Sequence, residues 1–539
     1  MATVAGAWAQ GPPLVSGADP VPASAPQTAG NPAFAIKDYR ISGNTLLPDA
    51  QVRAVVAPFV GPQSNFDTIQ QALEALKRAY LDAGFGAVRV VVPEQEVDGG
   101  VVALQVIEAT LGSVRVEGQQ RFSEANIRAA LPALREGQVV NVNDLASHIR
   151  LANESPSRQL AVTFQTDDDA GSGRAQVQAL VRVVDDEPLR MALSWDNSGN
   201  GSTGPSRTGF LLQHANLWDA DHALTAQVLT SPTQVKDVLI LGIGYRIPLY
   251  MIGAVLDFNW GHSNVNSGQV AGIPISGRGT VWGARYSHNL ASAPGSNWEQ
   301  RVSVGLDLRS YDNSLAAQGV TPRFMLRPLT LAYSANLHAP RRDMAWNLAL
   351  SRNLPGGASG SDPVFQQARA GAKANYMVWK FSGSLQQRLD GEQSLRLAAS
   401  GQYSRDVLLS AEQFGLGGAD SVRGLAEREL PSDRAPGDSG LRLGAEWWGA
   451  DLRAASGPGA APNDLRLQPI GFVDVGRVWS NRPGTFGERR QSAASVGLGL
   501  RGQWRRSLSL RLDWARVLHG TTQSPRGSSS LHAQALYFF

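Results

Sequence analysis

Arg423 is the residue in this chain whose neighbours ask for a chemical explanation. It sits between Val422 and Gly424 in the stretch EQFGLGGADSVRGL (412–425), which places four glycines between a strand-like segment and a polar loop. A guanidinium is costly to bury alone and pairs best with a carboxylate through two parallel hydrogen bonds. Val422 and Gly424 suit a tight apolar loop tip that folds inward, with Gly424 allowing close backbone approach. The expected partner is Asp474, 51 residues on in GFVDVGRVW (471–479). There Phe472, Asp474 and Gly476 share one strand face, and Val473, Val475 and Arg477 share the other. Glu446, on the intervening strand GLRLGAEWW (440–448), is a second acidic candidate.

Other chemistries find less support. GLGLRG at 497–502 satisfies G-x-G-x-x-G, but QWRRSLSLRLDW comes next, a turn and an alternating strand where a dinucleotide site needs a helix. Small residues facing a crowded lumen account for it better. The eight histidines are dispersed, with no pair at metal-ligand spacing, and no G-x-S-x-G occurs. Serine is abundant, so composition alone leaves a barrel-embedded Ser/His hydrolase open. The runs DDD (167–169) and WRR (504–506) read as solvated turns. The expectation is a non-enzyme with no cofactor and no metal. A net charge of +3 gives no reason to expect a nucleic-acid partner.

The elements that must position Arg423 can be read from the rest of the chain. At 539 residues the length is roughly three or four domains' worth. The charged fraction, 18%, lies below the roughly 25% of soluble domains, and 57 glycines and 30 prolines imply many turns. The absence of cysteine excludes a disulfide scaffold and fits an exported bacterial chain. No apolar run is long enough for a transmembrane helix. Ala7-Trp8-Ala9 before Gln10 looks like the end of a clipped signal peptide, and the Pro-, Ala- and Gly-rich residues 10–33 read as a linker.

From 34 to 187 helix and strand signals alternate. In FDTIQQALEALKRAYLDAG (66–84), Ile69, Ala72, Leu73, Leu76, Ala79, Tyr80 and Ala83 form one apolar stripe. Asp67 is expected to cap its first turn and Gly84 to close its end. Strands are expected at 87–92 and 101–107, around a turn with Asp98-Gly99. The pattern then restarts, RISGN (40–44) being echoed by RVEGQ (115–119). The second copy predicts helices near 123–134 and 143–152 and strands near 159–166 and 174–184, split by DDDAGSG (167–173). The repeat implies two tandem α+β domains, 34–110 and 111–187, with one larger α+β domain as the alternative.

After Pro188 the period becomes two. In RVSVGLDLRS (301–310) Val302, Val304, Leu306 and Leu308 share one face; in SLSLRLDW (507–514) Leu508, Leu510, Leu512 and Trp514 do. SLRLAASGQY (394–403) repeats the arrangement. Segments of about 10 residues, joined by turns of alternating length, meet the needs of a transmembrane β-barrel, with a water-soluble sandwich or solenoid as the alternative. About 16 strands fit into 188–539, with a loop near 405–440 entering the pore. The chain ends on LHAQALYFF, with Leu531, Tyr537 and Phe539 on one face.

EQFGLGGADSVRGL, FVDVGRVW and a terminal Phe, after two tandem domains, resemble the transporters of two-partner secretion, the TpsB family of haemolysin and filamentous-adhesin exporters. DNSGNGSTG (196–204) is similar to that family's first barrel hairpin. The resemblance spans about 34 to 539 and implies two periplasmic POTRA domains and a 16-stranded outer-membrane barrel. It also implies an in-pore loop bearing Val422, Arg423, Gly424 and Leu425, held by Arg423 against Asp474 of the Phe472-x-Asp474-x-Gly476 motif. Tyr537 and Phe539 correspond to the C-terminal insertion signal read by barrel-insertion machinery. Leu425 departs from the aromatic usual at its position, which puts the loop tip's stacking contact in question. Residues 1–33 lack the amphipathic pattern of the family's N-terminal plug helix, so the plug is either absent or upstream of this start.

The function implied is secretion of a large unfolded exoprotein (adhesin, cytolysin or contact-dependent toxin) across the outer membrane without ATP. The alternatives are a factor that inserts other barrels into outer-membrane lipid and a passive porin. Two repeats favour the translocator, because insertion factors usually carry more POTRA domains; a porin needs neither repeats nor the Arg423 loop.

Overall fold

The structure is a computed structural model. It describes residues 34–539 apart from 98, 168–175, 200–202, 237, 265–268, 271–272, 275–277, 292–295, 313–322, 432–435, 453–464 and 484–486. The expected signal remnant and linker, Asp98 of the first turn, nearly all of DDDAGSG and the middle of DNSGNGSTG lie outside the described residues. The chain forms two compact units, one of residues up to 79 with 89–107, the other of 80–88 with 108–539.

In the first unit the strand Asp38–Ser42 runs parallel to Val101–Glu108, the centre of a three-stranded sheet edged by Val88–Val91. The long helix spans Phe66–Asp82. Its N-terminal cap is Asn65 rather than Asp67: Thr68 N–H donates to Asn65 Oδ1 at 3.0 Å. The residue just outside the helix can reach back to the free amides, whereas Asp67, already inside the first turn, cannot. Gly84 closes the helix as expected, at φ +92°, with Phe85 N–H donating to Tyr80 O at 2.8 Å.

The two glycines of the sequence echo stand in like surroundings. Gly43 and Gly118 both have positive φ, and a Cβ at either would lie 2.3 or 2.4 Å from a strand carbonyl, of Val106 or Val183 respectively. Only glycine fits both places. In the second copy Thr110–Glu117 runs parallel to Gln176–Asp185, which pairs antiparallel with Arg158–Asp167. Helices Glu124–Ala130 and Val142–Ala152 cover that sheet around Leu111, Ile127, Leu131 and Val181. The first of them stops four residues short of expectation because Pro132 forces Leu131 out of the helical region, to φ −122° and ψ 59°.

Within the second unit this α+β part is fastened to two turns of the barrel. Arg158, fully buried, pairs with Asp221 at 2.8 Å, and Tyr250 Oη–H donates to Asp221 Oδ2 at 2.7 Å. Asn126 Nδ2–H adds a bond to the carbonyl of Asp219 at 2.9 Å.

The barrel has 16 antiparallel strands, from Leu189–Asp196 to Ser529–Phe538, which pair with each other to close it. The strand Arg323–Ala339 is interrupted at Arg327, just before Pro328, and both halves pair with Trp298–Asp312. Alternation sorts side chains as expected: Val304, Leu306, Leu308, Leu510, Leu512 and Trp514 point outward and are exposed, while Asp307, Arg309, Arg511 and Asp513 point inward. Trp195, Trp282, Trp346, Trp379, Trp447 and Trp504 also stand exposed on the wall, suited to a membrane-facing surface. Short turns such as 340–341 and 505–507 alternate with longer loops, and two long loops, 354–376 and 404–438, fold back on the barrel interior.

The outward assignment is testable. Leu512→Arg should lower the urea midpoint of the barrel in lipid vesicles, corresponding to about 2–4 kcal/mol near mid-membrane. Gln534→Arg, on the lumen face, should shift it far less.

Candidate functional site

The loop 404–438 leaves the strand Ser394–Tyr403 and returns to Ser439–Trp448. Its stem is held by a two-way backbone pairing of Leu416 with Leu430, at 2.7 and 3.1 Å. Its tip is a tight turn in which Leu425 N–H donates to Val422 O at 3.0 Å and Gly418 N–H to Leu425 O at 3.1 Å. Val422 and Leu425 are fully buried with Leu416, Leu430, Val478 and Ala493. Leu425 therefore fills an apolar socket between loop and wall.

The turn aims Arg423 into the lumen wall. Arg423 is 1% exposed, and its Nε and Nη2 donate to Asp474 Oδ2 and Oδ1 at 2.7 and 3.0 Å. Its backbone N–H reaches Asp474 Oδ2 at 3.3 Å, and Nη1 donates to Glu446 Oε1 at 2.7 Å. Both expected acids thus bind the same guanidinium. The Phe472 ring lies under it, 3.4 Å from Cζ to ring centroid, a cation–π contact made in a dry place. Phe472, Asp474 and Gly476 do share the inward face: Phe472 is 3% exposed and Asp474 0%, while Val473 and Val475 face out.

Gly424 is where it is because the wall is close. A Cβ there would sit 2.8 Å from Ser495 Cβ and from Val517 Cγ2. The decoy motif has the same explanation. A Cβ at Gly497 would meet the Phe472 ring at 2.3 Å, and one at Gly499 would meet Asp513 Oδ1 at 2.1 Å. These glycines, on the strand Arg490–Trp504, clear space for the ring and the carboxylate.

Several groups escape a reading of the sequence. Asp513, fully buried, lies 3.7 Å from Arg423 Nη1 and is gripped by Arg501 at 2.6 and 3.0 Å and by Arg511 at 2.8 Å. His532 Nε2 sits 2.6 Å from the Arg423 carbonyl, and Ser530 Oγ–H donates to the Gly424 carbonyl at 2.9 Å. Their only signal was an inward position on an alternating strand. Further along the loop, buried Glu412 pairs with Arg309 at 2.8 Å, and buried Asp438 takes Arg369 of the other long loop, Nη2 to Oδ2 at 3.0 Å. Tyr537 and Phe539 are not brought to this site. They stand on the outer face, 41% and 54% exposed, with ring centroids 5.9 Å apart.

The arrangement can hold a loop across a lumen. Gly424→Val should displace the tip, as overpacking a tight contact costs about 1–3 kcal/mol. Because the chain has no cysteine, a single Val422→Cys, buried while the loop is seated, reports the shift as faster reaction with a water-soluble maleimide.

Comparison with known proteins places this geometry. A family model described as POTRA domain, ShlB-type, matches residues 34–109. Another, described as haemolysin secretion/activation protein ShlB/FhaC/HecB, matches 147–502, more than half of the chain. Outer membrane transporter CdiB of Escherichia coli O6:K15:H31 (strain 536 / UPEC) is 25% identical over 425 residues, 76% of this chain and 69% of the relative. Heme/hemopexin transporter protein HuxB of Haemophilus influenzae (strain ATCC 51907 / DSM 11121 / KW20 / Rd) is 19% identical over 72% of this chain and 69% of its own. The solved structure of CdiB from Escherichia coli superposes with a TM-score of 0.76 at 20% identity, covering 97% of this chain and 94% of that one.

Proposed function

The chain belongs to the haemolysin secretion/activation protein family ShlB/FhaC/HecB, and from that membership we propose that it is the outer-membrane translocator of a two-partner secretion system, exporting one large unfolded exoprotein. Its place is the bacterial outer membrane, with the POTRA part in the periplasm. The relatives' names, outer membrane transporter and heme/hemopexin transporter, support transport as the task, and the family's description, haemolysin secretion/activation, supports its outward direction. The observation that carries the reading is the Arg423 loop, seated across the lumen of a 16-strand barrel by a buried ion pair. A passive porin needs no such loop.

We assign residues 34–110 and 111–187 to two POTRA domains, and 188–539 to the barrel. An extended segment of the client adds to an exposed strand edge of the POTRA pair through backbone hydrogen bonds. The loop then leaves its seat, the chain threads the pore, and folding outside gives passage its direction. No nucleotide enters the cycle, since the periplasm supplies none. Outer-membrane lipid covers the apolar outer face, and Tyr537 and Phe539 address the nascent barrel to its insertion machinery.

Deleting 34–110 should abolish secretion of a co-expressed exoprotein while the barrel stays abundant in the outer membrane. Unchanged secretion would favour a barrel-insertion factor instead, to be sought as defects in other outer-membrane barrels. Arg423→Ala and Asp474→Ala should each impair or deregulate secretion at normal barrel levels. If neither changes it, the loop is no lock.

A further inference from the structure

The three acids around Arg423 are not equally dependent on it. Asp513 keeps Arg501 and Arg511 whether or not the loop is seated, and Glu446 keeps the Trp448 Nε1–H bond at 2.8 Å. Asp474 differs. Among the described residues its carboxylate is hydrogen-bonded by Arg423 alone, through Nε, Nη2 and the backbone amide. It is fully buried. Withdrawing Arg423 would strip the carboxylate of the hydrogen-bond donor it now has, and removing one partner of a buried pair is strongly destabilising.

The next cation is Arg442. Its Nη2 lies 3.7 Å from Asp474 Oδ1, beyond hydrogen-bond range, and its Nε is buried without a hydrogen-bond partner. In the strand register Gly444 stands opposite Asp474, and Arg442 opposite Gly476. Arg442 and Asp474 are thus diagonal cross-strand neighbours, a separation that long side chains span. The two positions that could block the approach are both glycines. A Cβ at Gly444 would lie 3.1 Å from Arg442 Nη2 and 3.1 Å from Asp474 Oδ1. A Cβ at Gly476 would meet Leu416 at 2.8 Å, and Leu416 belongs to the same loop as Arg423. When the loop goes, the space in front of Gly476 opens with it. A lumen cavity of about 370 Å³, lined by Arg396, Arg423, Arg442, Gly444 and Glu446, gives the guanidinium room to turn.

We propose that Arg442 is the second counter-ion of Asp474: it waits beside the carboxylate while Arg423 is seated and closes on it when the loop withdraws. Arg442 is a positioning residue in this scheme. It lowers the cost of the open pore without holding the closed one. The proposal rests on the reading that the loop leaves its seat during export, but its test does not use export.

The test is a double-mutant cycle on the purified full-length protein in lipid vesicles, read as the urea midpoint of the folded barrel. Arg442→Ala alone should shift the midpoint little, and Arg423→Ala moderately, because Arg442 takes over. The double variant should lose more than the sum, a coupling of about tenfold or more in the folding equilibrium. Arg423→Ala with Arg442→Lys should recover much of that loss, since an ammonium also neutralises the carboxylate. Adding Asp474→Asn to the double variant should erase the coupling. Additive shifts, or a coupling that survives Asp474→Asn, would overturn the proposal. If the double variant fails to insert, insertion of the triple variant supports it and failure of the triple variant overturns it. Loss of secretion on deleting 34–110 is decided separately, so either reading can fail without the other.

Discussion

A buried carboxylate that, among the described residues, is hydrogen-bonded by a single arginine is the constraint around which the lumen is arranged. Asp474 takes its hydrogen bonds from a loop arginine, while the wall's own Arg442 stands 3.7 Å off. Everything nearby accommodates the visit. Gly424 lets the loop backbone touch the strands carrying Ser495 and Val517, Gly497 clears the Phe472 ring, and Gly499 clears Asp513. The apolar socket of Leu416, Val422, Leu425 and Leu430 gives the tip its hydrophobic share of the seat. Beyond that cluster the tip is held by polar contacts: Arg423 on Asp474 and Glu446, Arg511 on Asp420, and His532 and Ser530 at the carbonyls of Arg423 and Gly424.

The same loop is tied at two further points by ion pairs of the same kind. Glu412 with Arg309 anchors its start, and Asp438 with Arg369 joins its end to the loop 354–376. Asp438 also accepts from the backbone amides of Leu408 and Asn481, at 2.8 and 2.7 Å, so that three loops meet on one carboxylate. The tip and the base of the loop are therefore separate fastenings. The base holds its ends to the barrel, while the tip alone faces Asp474.

Sequence made the wall and the principal pair legible, for identifiable reasons. Period-two alternation is imposed by a strand that faces lipid on one side, so Leu510, Leu512 and Trp514 declare the barrel without any knowledge of pairing. Arg423 and Asp474 are legible because an arginine in a glycine-rich apolar tip needs a carboxylate on an inward strand position. Asp513, His532 and Ser530 were not. Each is an ordinary polar residue on an alternating strand, and only the register of the closed barrel brings it to the loop. Arg158 and Asp221 were hidden for the same reason, being far apart in the chain with no motif around either. The helix errors were local: Asn65 outcompetes Asp67 by standing just outside the first turn, and Pro132 ends a helix whose apolar pattern runs on.

The fastening of Arg158 to Asp221 bears on how such proteins can be recombined. A buried charge pair with Tyr250 and Asn126 around it tolerates replacement only as a set. A graft that brings in a foreign 111–187 segment must bring matching barrel turns with it, or it will strand a charge at the seam. Residues 34–110 do not share that buried pair. In a laboratory chimera the 111–187 segment and the barrel are thus best carried together.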